Sequence, residues 1–227
     1  ASDIAQFAEL FATVTVTYLT DGHHRCAAGS RYAAKRRAAN PAHTGDEPYN
    51  FLLVALFPDD ELRILPYNRC VRDLNGLSVP EFLARLGEIF EVKVLDCGMP
   101  DEAAPRGKGE LAMLLDGAWY RLQARNGLAA HEDPVRSLDV MLLQEQVLGP
   151  LLGIDDPRTD PRLLYVAGSF KMSGLVARCE EGWRVAFAVY PTSIEQLMAV
   201  ADADQVMPPK STWFDPKARS GLFLKMR

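Results

Sequence analysis

The residues best suited to chemistry near the start of the chain are Thr20-Asp21-Gly22-His23-His24-Arg25. They stand between a β-branched run and a helical one. A strand-to-helix junction aims the free N–H groups of the first helical turn at one point, and the helix dipole favours an anion there. Gly22 lets the backbone turn tightly and approach a ligand closely. Arg25 offers a planar fork of donors to a phosphate. His23 and His24 can donate hydrogen bonds, carry a proton or orient a substrate. The competing reading is an ordinary turn in which Asp21 caps the helix and both rings are solvated or packed. A metal site is not expected. Neighbouring side chains diverge, no H-x-x-x-H spacing exists, and a zinc site needs three or four convergent ligands.

A second candidate is Pro66-Tyr67-Asn68-Arg69, read as the end of a strand and followed by Arg72-Asp73. Tyr67 and Asn68 can hydrogen-bond a polar ligand there, with Asn68 and Arg69 as candidate phosphate contacts, or the segment is a turn with a surface arginine. A third is Met207 to Lys217, which contains Lys210-Ser211-Thr212. Lys-Ser-Thr is how a P-loop ends, but the preceding glycines are absent. What remains is a proline-framed loop with a lysine, two hydroxyls and two aromatics, able to bind phosphate or to pack as a surface loop. No G-x-S-x-G element is present. Cys26 follows the histidines at a helix start, where a thiol pKa can fall. Its place on a small-residue face predicts a buried, inert thiol instead.

Several elements must position these groups. Ile4, Phe7, Ala8 and Phe11 give a short helix over 3–11. Thr13 to Leu19 is almost wholly β-branched or aromatic and predicts a strand. A helix over 24–39 carries Cys26, Ala27, Ser30, Ala33 and Ala34 on one face and Arg31, Lys35 and Arg36 on another. Its small face suits close packing on a sheet; its basic face reads as solvated. Asn40-Pro41 ends it, and a loop follows to residue 50. Phe51 to Phe57 reads as a strand buried on both sides. Leu62 to Leu65 returns the chain. Ser78-Val79-Pro80-Glu81 and Thr192-Ser193-Ile194-Glu195 have capping-box form. The first opens a helix burying Phe82, Leu83 and Leu86; the second opens one burying Leu197, Met198 and Val200. Further strands are expected at 90–95, 111–115, 119–123, 163–167 and 184–190, a helix at 137–149, a mobile loop at 98–109, and an apolar close at Leu222-Phe223-Leu224. The mixture is α+β, or mixed α/β.

Composition narrows the function classes. The 227 residues are 48% hydrophobic and 24% charged, which excludes wholesale disorder and coiled coil. No uncharged apolar run reaches the roughly 18 residues of a membrane helix, and Asp3, Gln6 and Glu9 are foreign to a signal peptide. Basic residues number 25 and acidic 30, a net charge of −5 that offers no global attraction to nucleic acid. Two local basic stretches stand against this: Arg25 to Arg37, and Lys210 to Arg227. They suit a small anionic ligand better than a long polyanion. Cys26, Cys70, Cys97 and Cys179 form no C-x-x-C pair and read as reduced, mostly buried thiols of a cytoplasmic protein.

Leu19-Thr20-Asp21-Gly22-His23-His24-Arg25, Ile64-Leu65-Pro66-Tyr67-Asn68-Arg69 and Met207 to Lys217, with Ser220-Gly221-Leu222, resemble the successive signatures of the bacterial family called domain of unknown function 1015. That family is similar to the free serine kinases, which share a superfold with ParB and sulfiredoxin. The resemblance implies a ParB/sulfiredoxin-like core with additional strands and helices. By the same resemblance Gly22, His23, His24 and Arg25 bind nucleotide phosphates. The cofactor implied is ATP or ADP with Mg²⁺ entering alongside, the substrate a small hydroxyl compound such as serine, and the association a homodimer. Neither membrane nor nucleic acid is an expected partner. Family members usually carry a further N-terminal half with a His-Glu motif. No equivalent is found here, so residues 1–227 read as a single domain, the C-terminal portion of a longer protein.

Overall fold

The computed structural model describes residues 2–125, 127–217 and 221. The chain divides into two compact units, Leu62–Asp215 and Ala1–Glu61 with Pro216–Arg227. Ser220 and Leu222 to Leu224, singled out above, lie outside the described residues.

The larger unit is built on a seven-stranded antiparallel sheet. Its strands are β1 (Arg63–Val71), β2 (Phe90–Leu95), β3 (Glu110–Leu115), β4 (Ala118–Ala124), β5 (Leu163–Ala167), β6 (Val185–Val189) and β7 (Thr212–Asp215). Their order is β2-β4-β3-β6-β1-β5, with β7 pairing to β1. β1 is long enough to serve two neighbours in succession. Arg63 to Pro66 face β7, and Tyr67 to Val71 face β5.

The two central strands are buried along their whole length. Side chains alternate across a strand, so each strand feeds two cores. Leu111, Met113, Leu115, Val185, Phe187 and Val189 enter one; Ala112, Leu114, Ala186 and Ala188 enter the other. The first core is closed by α3 (Val79–Ile89), through Phe82 and Leu86, and by α4 (Asp139–Leu143), which continues as a π-helical turn over Gln144–Leu148. The second is closed by α5 (Lys171–Glu180), through Met172 and Leu175. Alanines beneath α5 let it sit close to the sheet, as small residues do. The fold class is therefore mixed α/β, as expected, with helices on both faces.

The strands expected at 90–95, 111–115, 119–123, 163–167 and 184–190 hold to within a residue, whereas the segment expected over Leu62 to Leu65 runs on to Val71 as β1. The helix expected over 137–149 is interrupted: its second half winds with the wider π spacing. The 98–109 segment is not a free loop, because Pro100–Ala103 forms a 3₁₀ turn whose Ala103 is fully buried. Helix α6 (Ile194–Asp202) buries Leu197 and Val200 but leaves Met198 half-exposed. Its cap stands one residue later than read from the sequence, on Ser193 with Gln196 instead of Thr192 with Glu195. Leu83 is only half-buried in α3. Helix α5 and strand β7 were not anticipated. The helix shows a narrow apolar stripe broken by Ser173 and Gly174, and the strand lies where a proline-framed loop was read.

The smaller unit holds α1 (Ser2–Phe11) and α2 (His23–Ala38). Both helices were expected; both strands were not found. Residues 14–20 and 51–58 have no regular structure, and Val16, Phe51 and Val54 are more than half exposed. β-Branched composition fits a pleated, half-buried surface and does not make a strand by itself. No ladder partner reaches these segments among the described residues. The small face of α2 is likewise not packed on a sheet, and none of its residues is buried. Of the four free thiols only Cys70 is buried; Cys26, Cys97 and Cys179 are half-buried. Burial lifts the Cys70 thiol to about 12. No described helix is long and apolar enough to cross a membrane.

Candidate functional site

At the start of α2 the backbone turns on Gly22, whose φ of 90° is left-handed and favours glycine. Gly22 is the N-cap, and no side chain caps the helix. The first helical bond runs from the Cys26 N–H to the Gly22 carbonyl. The N–H groups of His23, His24 and Arg25 thus remain without an acceptor among the described residues, as the first turn of an uncapped helix leaves them. The Arg25 guanidinium folds back over the turn: a Cβ built on Gly22 would lie 3.0 Å from its Nη2. Gly22 is needed here for its φ, whereas the Arg25 side-chain end, being exposed, can give way.

Asp21 does not cap the helix. Its Oδ1 accepts from the Gly22 N–H at 2.8 Å, and its Oδ2 lies 3.4 Å from Lys217 Nζ. Partial burial works to raise the carboxyl, but the Lys217 charge, the Gly22 N–H and Arg25 outweigh it and hold the group below its usual range. Asp21 is therefore an anion that braces the turn and holds Lys217 beside it. His23, His24 and Arg25 are exposed. The arrangement can do one thing well. Three open amides, a guanidinium and an ammonium face a common turn and can take an oxyanion such as a nucleotide phosphate. Lys217 was part of the quoted third motif but was not singled out. Only a contact 196 residues along the chain reveals its role.

The second and third candidates meet in the larger unit. Tyr67, Asn68 and Arg69 lie within β1, not at a strand end, and Arg69 is a buried residue, only 4% exposed, not a surface one. Its Nη1 donates to the Tyr67 carbonyl and its Nη2 to the Lys210 carbonyl at 3.3 Å, with the Tyr165 ring 5.4 Å from the guanidinium. Burial pulls its pKa down to about 10, against the raising effect of Tyr165. Lys210 sits in a left-handed turn, φ 53°, with its Nζ 5.2 Å from the Tyr67 ring. The Ser211 hydroxyl donates to the Pro208 carbonyl at 2.6 Å, and Thr212 begins β7 opposite Pro66. The Asn68 Oδ1 accepts from the Val189 N–H at 3.3 Å. Arg69, Asn68 and Ser211 thus spend polar atoms on main-chain partners. Of this cluster Lys210 presents the charge.

Among the described residues no group of three or more His, Cys, Asp or Glu side chains is placed to hold a metal ion. The expected site residues therefore fall into two sets: Asp21 to Arg25 in one unit, and Asn68, Arg69 and Lys210 to Thr212 in the other.

No curated protein matches the chain. Among solved structures it is similar to free serine kinase in complex with AMP, at 15% identity and a TM-score of 0.37 over 68% of this chain and 54% of that one. A mutant of free serine kinase in complex with ADP gives 16% identity and a TM-score of 0.38 over 68% and 54%. A conserved hypothetical protein from Pyrococcus furiosus gives 15% and 0.39 over 69% and 57%. The chain spans about half the length of these structures. A family model described as "Protein of unknown function (DUF1015)" matches residues 1–141, and the chain belongs to that family.

Proposed function

We propose that the chain carries the phosphate-binding part of a nucleotide-dependent phosphotransferase acting on a small hydroxyl compound such as serine. The observation that carries this reading is the turn at Gly22, with three open amides and the Arg25 guanidinium laid over it. Phosphoryl transfer needs positioning and charge neutralisation more than covalent help from the protein. In this reading Arg25, Lys217 and the first-turn amides hold the phosphates of ATP or ADP, and Mg²⁺ arrives with the nucleotide. The substrate hydroxyl oxygen bonds to the terminal phosphorus as the bridging P–O bond breaks. The nucleotide leaves one phosphoryl group shorter, and the hydroxyl proton passes to His23 or His24. Arg69 is the buried tie that holds the Lys210 turn. A ParB/sulfiredoxin-like ancestry and a homodimer belong to the same reading.

A nucleotide-binding regulatory module is the second reading. What favours it is that Asp21, the carboxylate at the junction, is engaged by Gly22 and Lys217 and held in its ionised form, which makes it a poor base.

Thermal unfolding with ATP, ADP and CTP, with and without Mg²⁺, tests both. Ligand that binds only the folded state must raise the midpoint. Nucleotide is expected to stabilise the wild type and not Arg25→Ala, whose loss of one charge-assisted phosphate grip costs about 2 kcal/mol of binding. Radiolabel transfer to serine supports the enzyme; binding without transfer supports the module. No shift at millimolar nucleotide, with amide exchange at Gly22 to Cys26 also unchanged, defeats both.

A further inference from the structure

Beyond the junction, α2 forms one wall of a groove of about 380 Å³, and Tyr49 to Leu52 form the other. The groove runs from Cys26 to Arg37, eleven residues and roughly 16 Å along the helix at its usual rise. No acidic residue lines it. Its apolar walls are Gly29, Ala33 and Leu52. At Gly29 the two walls meet and floor the groove, since a Cβ there would be in ordinary contact with Leu52 Cδ1, at 3.4 Å.

The polar groups at its far end are joined by hydrogen bonds, although Arg37 itself is exposed. Arg37 Nη2 donates to Asn50 Oδ1 at 3.3 Å. Asn50 is held in turn, because its Nδ2 donates to the Gly45 carbonyl and to Glu47 Oε2, each at 3.0 Å. One of the five N–H groups of Arg37 is thus spent on orientation, and the others have no acceptor among the described residues. The Tyr49 hydroxyl accepts from Asn40 Nδ2 at 3.1 Å. His43 Nδ1 lies 3.0 Å from the same hydroxyl and 2.9 Å from Glu47 Oε2. Contact with that carboxylate places the ring proton on Nδ1 and directs it at Glu47, so His43 cannot accept from Tyr49 and the hydroxyl keeps its own proton to give. The Arg36 guanidinium, 5.8 Å from the Tyr49 ring, adds further positive charge.

Donors at one end, a nearby Glu47 carboxylate spent on Asn50 and His43, and small apolar walls select a ligand. We infer that this groove binds a small organic oxyanion with a flat apolar body. Its carboxylate or phosphate pairs with Arg37 and the Tyr49 hydroxyl, and its ring lies against Gly29, Ala33 and Leu52. The site is separate from the Gly22 turn and does not depend on nucleotide binding there.

Backbone amide NMR of the full chain tests it with four probes: 2-naphthoate, 2-naphthyl phosphate, neutral 2-naphthol and inorganic phosphate. At least one of the two aromatic anions is expected to shift the Gly29, Ser30 and Asn50 amides at sub-millimolar concentration, and comparing them shows which oxyanion is preferred. Naphthol and inorganic phosphate should bind at least about tenfold more weakly, as each lacks half of the recognition. Arg37→Ala should weaken the anion by a similar factor and Arg37→Lys by less, because lysine keeps the charge and loses the fork. Ala33→Phe, which fills the groove and leaves Arg37 in place, should abolish binding while helical circular dichroism is kept. Absence of shifts with both aromatic anions, equal binding of naphthol, or unchanged binding in Arg37→Ala overturns the inference. Nucleotide shifts at Gly22 and Arg25 are read in the same spectra, so either reading can fail alone.

Discussion

Asp139 shows how one buried group couples the sheet to solvent pH. It opens α4, is 6% exposed, and accepts from the Gly109 N–H through Oδ1 at 2.9 Å. Gly109 is tied on its other side, where its carbonyl accepts from the Ala124 N–H. Burial pushes the carboxyl up to about 6, against the lowering effects of the Gly109 hydrogen bond and Lys108. The folded state therefore holds the proton more tightly than the unfolded chain. Stability from this group is fully present below the unfolded value and is lost as pH rises through the folded one. Asp139→Asn keeps an acceptor for Gly109 and removes the charge. It is expected to match the wild type near pH 4 and to exceed it at pH 8, by at most about 3 kcal/mol for a shift of this size. Urea unfolding across that range measures it. A parallel fall in both proteins would show that the carboxyl titrates normally. None of this was legible in the sequence, where Asp139 is one acid in an apolar run and its burial depends on a contact thirty residues back.

At the scale of elements, legibility followed the range of the forces. Caps are local, and Ser78 with Glu81 was readable from four consecutive letters. The Ser78 hydroxyl accepts from the Glu81 N–H at 3.4 Å, and Glu81 Oε2 accepts from the Ser78 N–H at 2.9 Å. Ser78→Ala should cost about 1 kcal/mol, seen as an earlier midpoint in urea with unchanged slope. Gly at the same position should cost only a few tenths. An equal loss for both would mean the hydroxyl is not the cap. The second box slipped by one residue because Thr192-Ser193 offers two hydroxyls and Glu195-Gln196 two reciprocal acceptors. Thr192 is itself buried, which leaves Ser193 to cap. Strands needed more than letters. Val185 to Val189 became central because β1 and β3 flank it, whereas Phe51 to Phe57, at least as apolar, has no flanking ladder. The site divided in the same way. Gly22 and Arg25 follow from adjacent residues and were readable. The pairing of Arg69 with the Lys210 carbonyl spans 141 positions and was not.

Across the whole molecule, apolar burial is distributed unequally. Every buried residue among those described lies between Leu62 and Asp215, including Phe82, Phe90 and Phe187 at zero exposure. The other unit exposes Ile4, Phe7, Leu10, Phe11, Phe51 and Leu53, each by more than half. Burial of apolar surface is what offsets the roughly 1–2 kcal/mol of backbone entropy lost per ordered residue. With no buried side chain among its described residues, this unit has little with which to offset it, and its helices are expected to open by local fluctuation. Native-state hydrogen exchange should therefore separate the two. Amides of β1, β3 and β6 should exchange only through global unfolding and share one protection free energy. Amides of α1 and α2 should exchange orders of magnitude faster, and that rate should not respond to Phe187→Ala, which costs the larger unit about 3–5 kcal/mol. Saturating nucleotide should slow exchange at Gly22 to Cys26 first, because binding energy at the turn is stability for the helix that carries it. Uniform protection across both units would show that the smaller one shares the stability of the sheet, and would remove the reason to expect its ligand sites to order on binding.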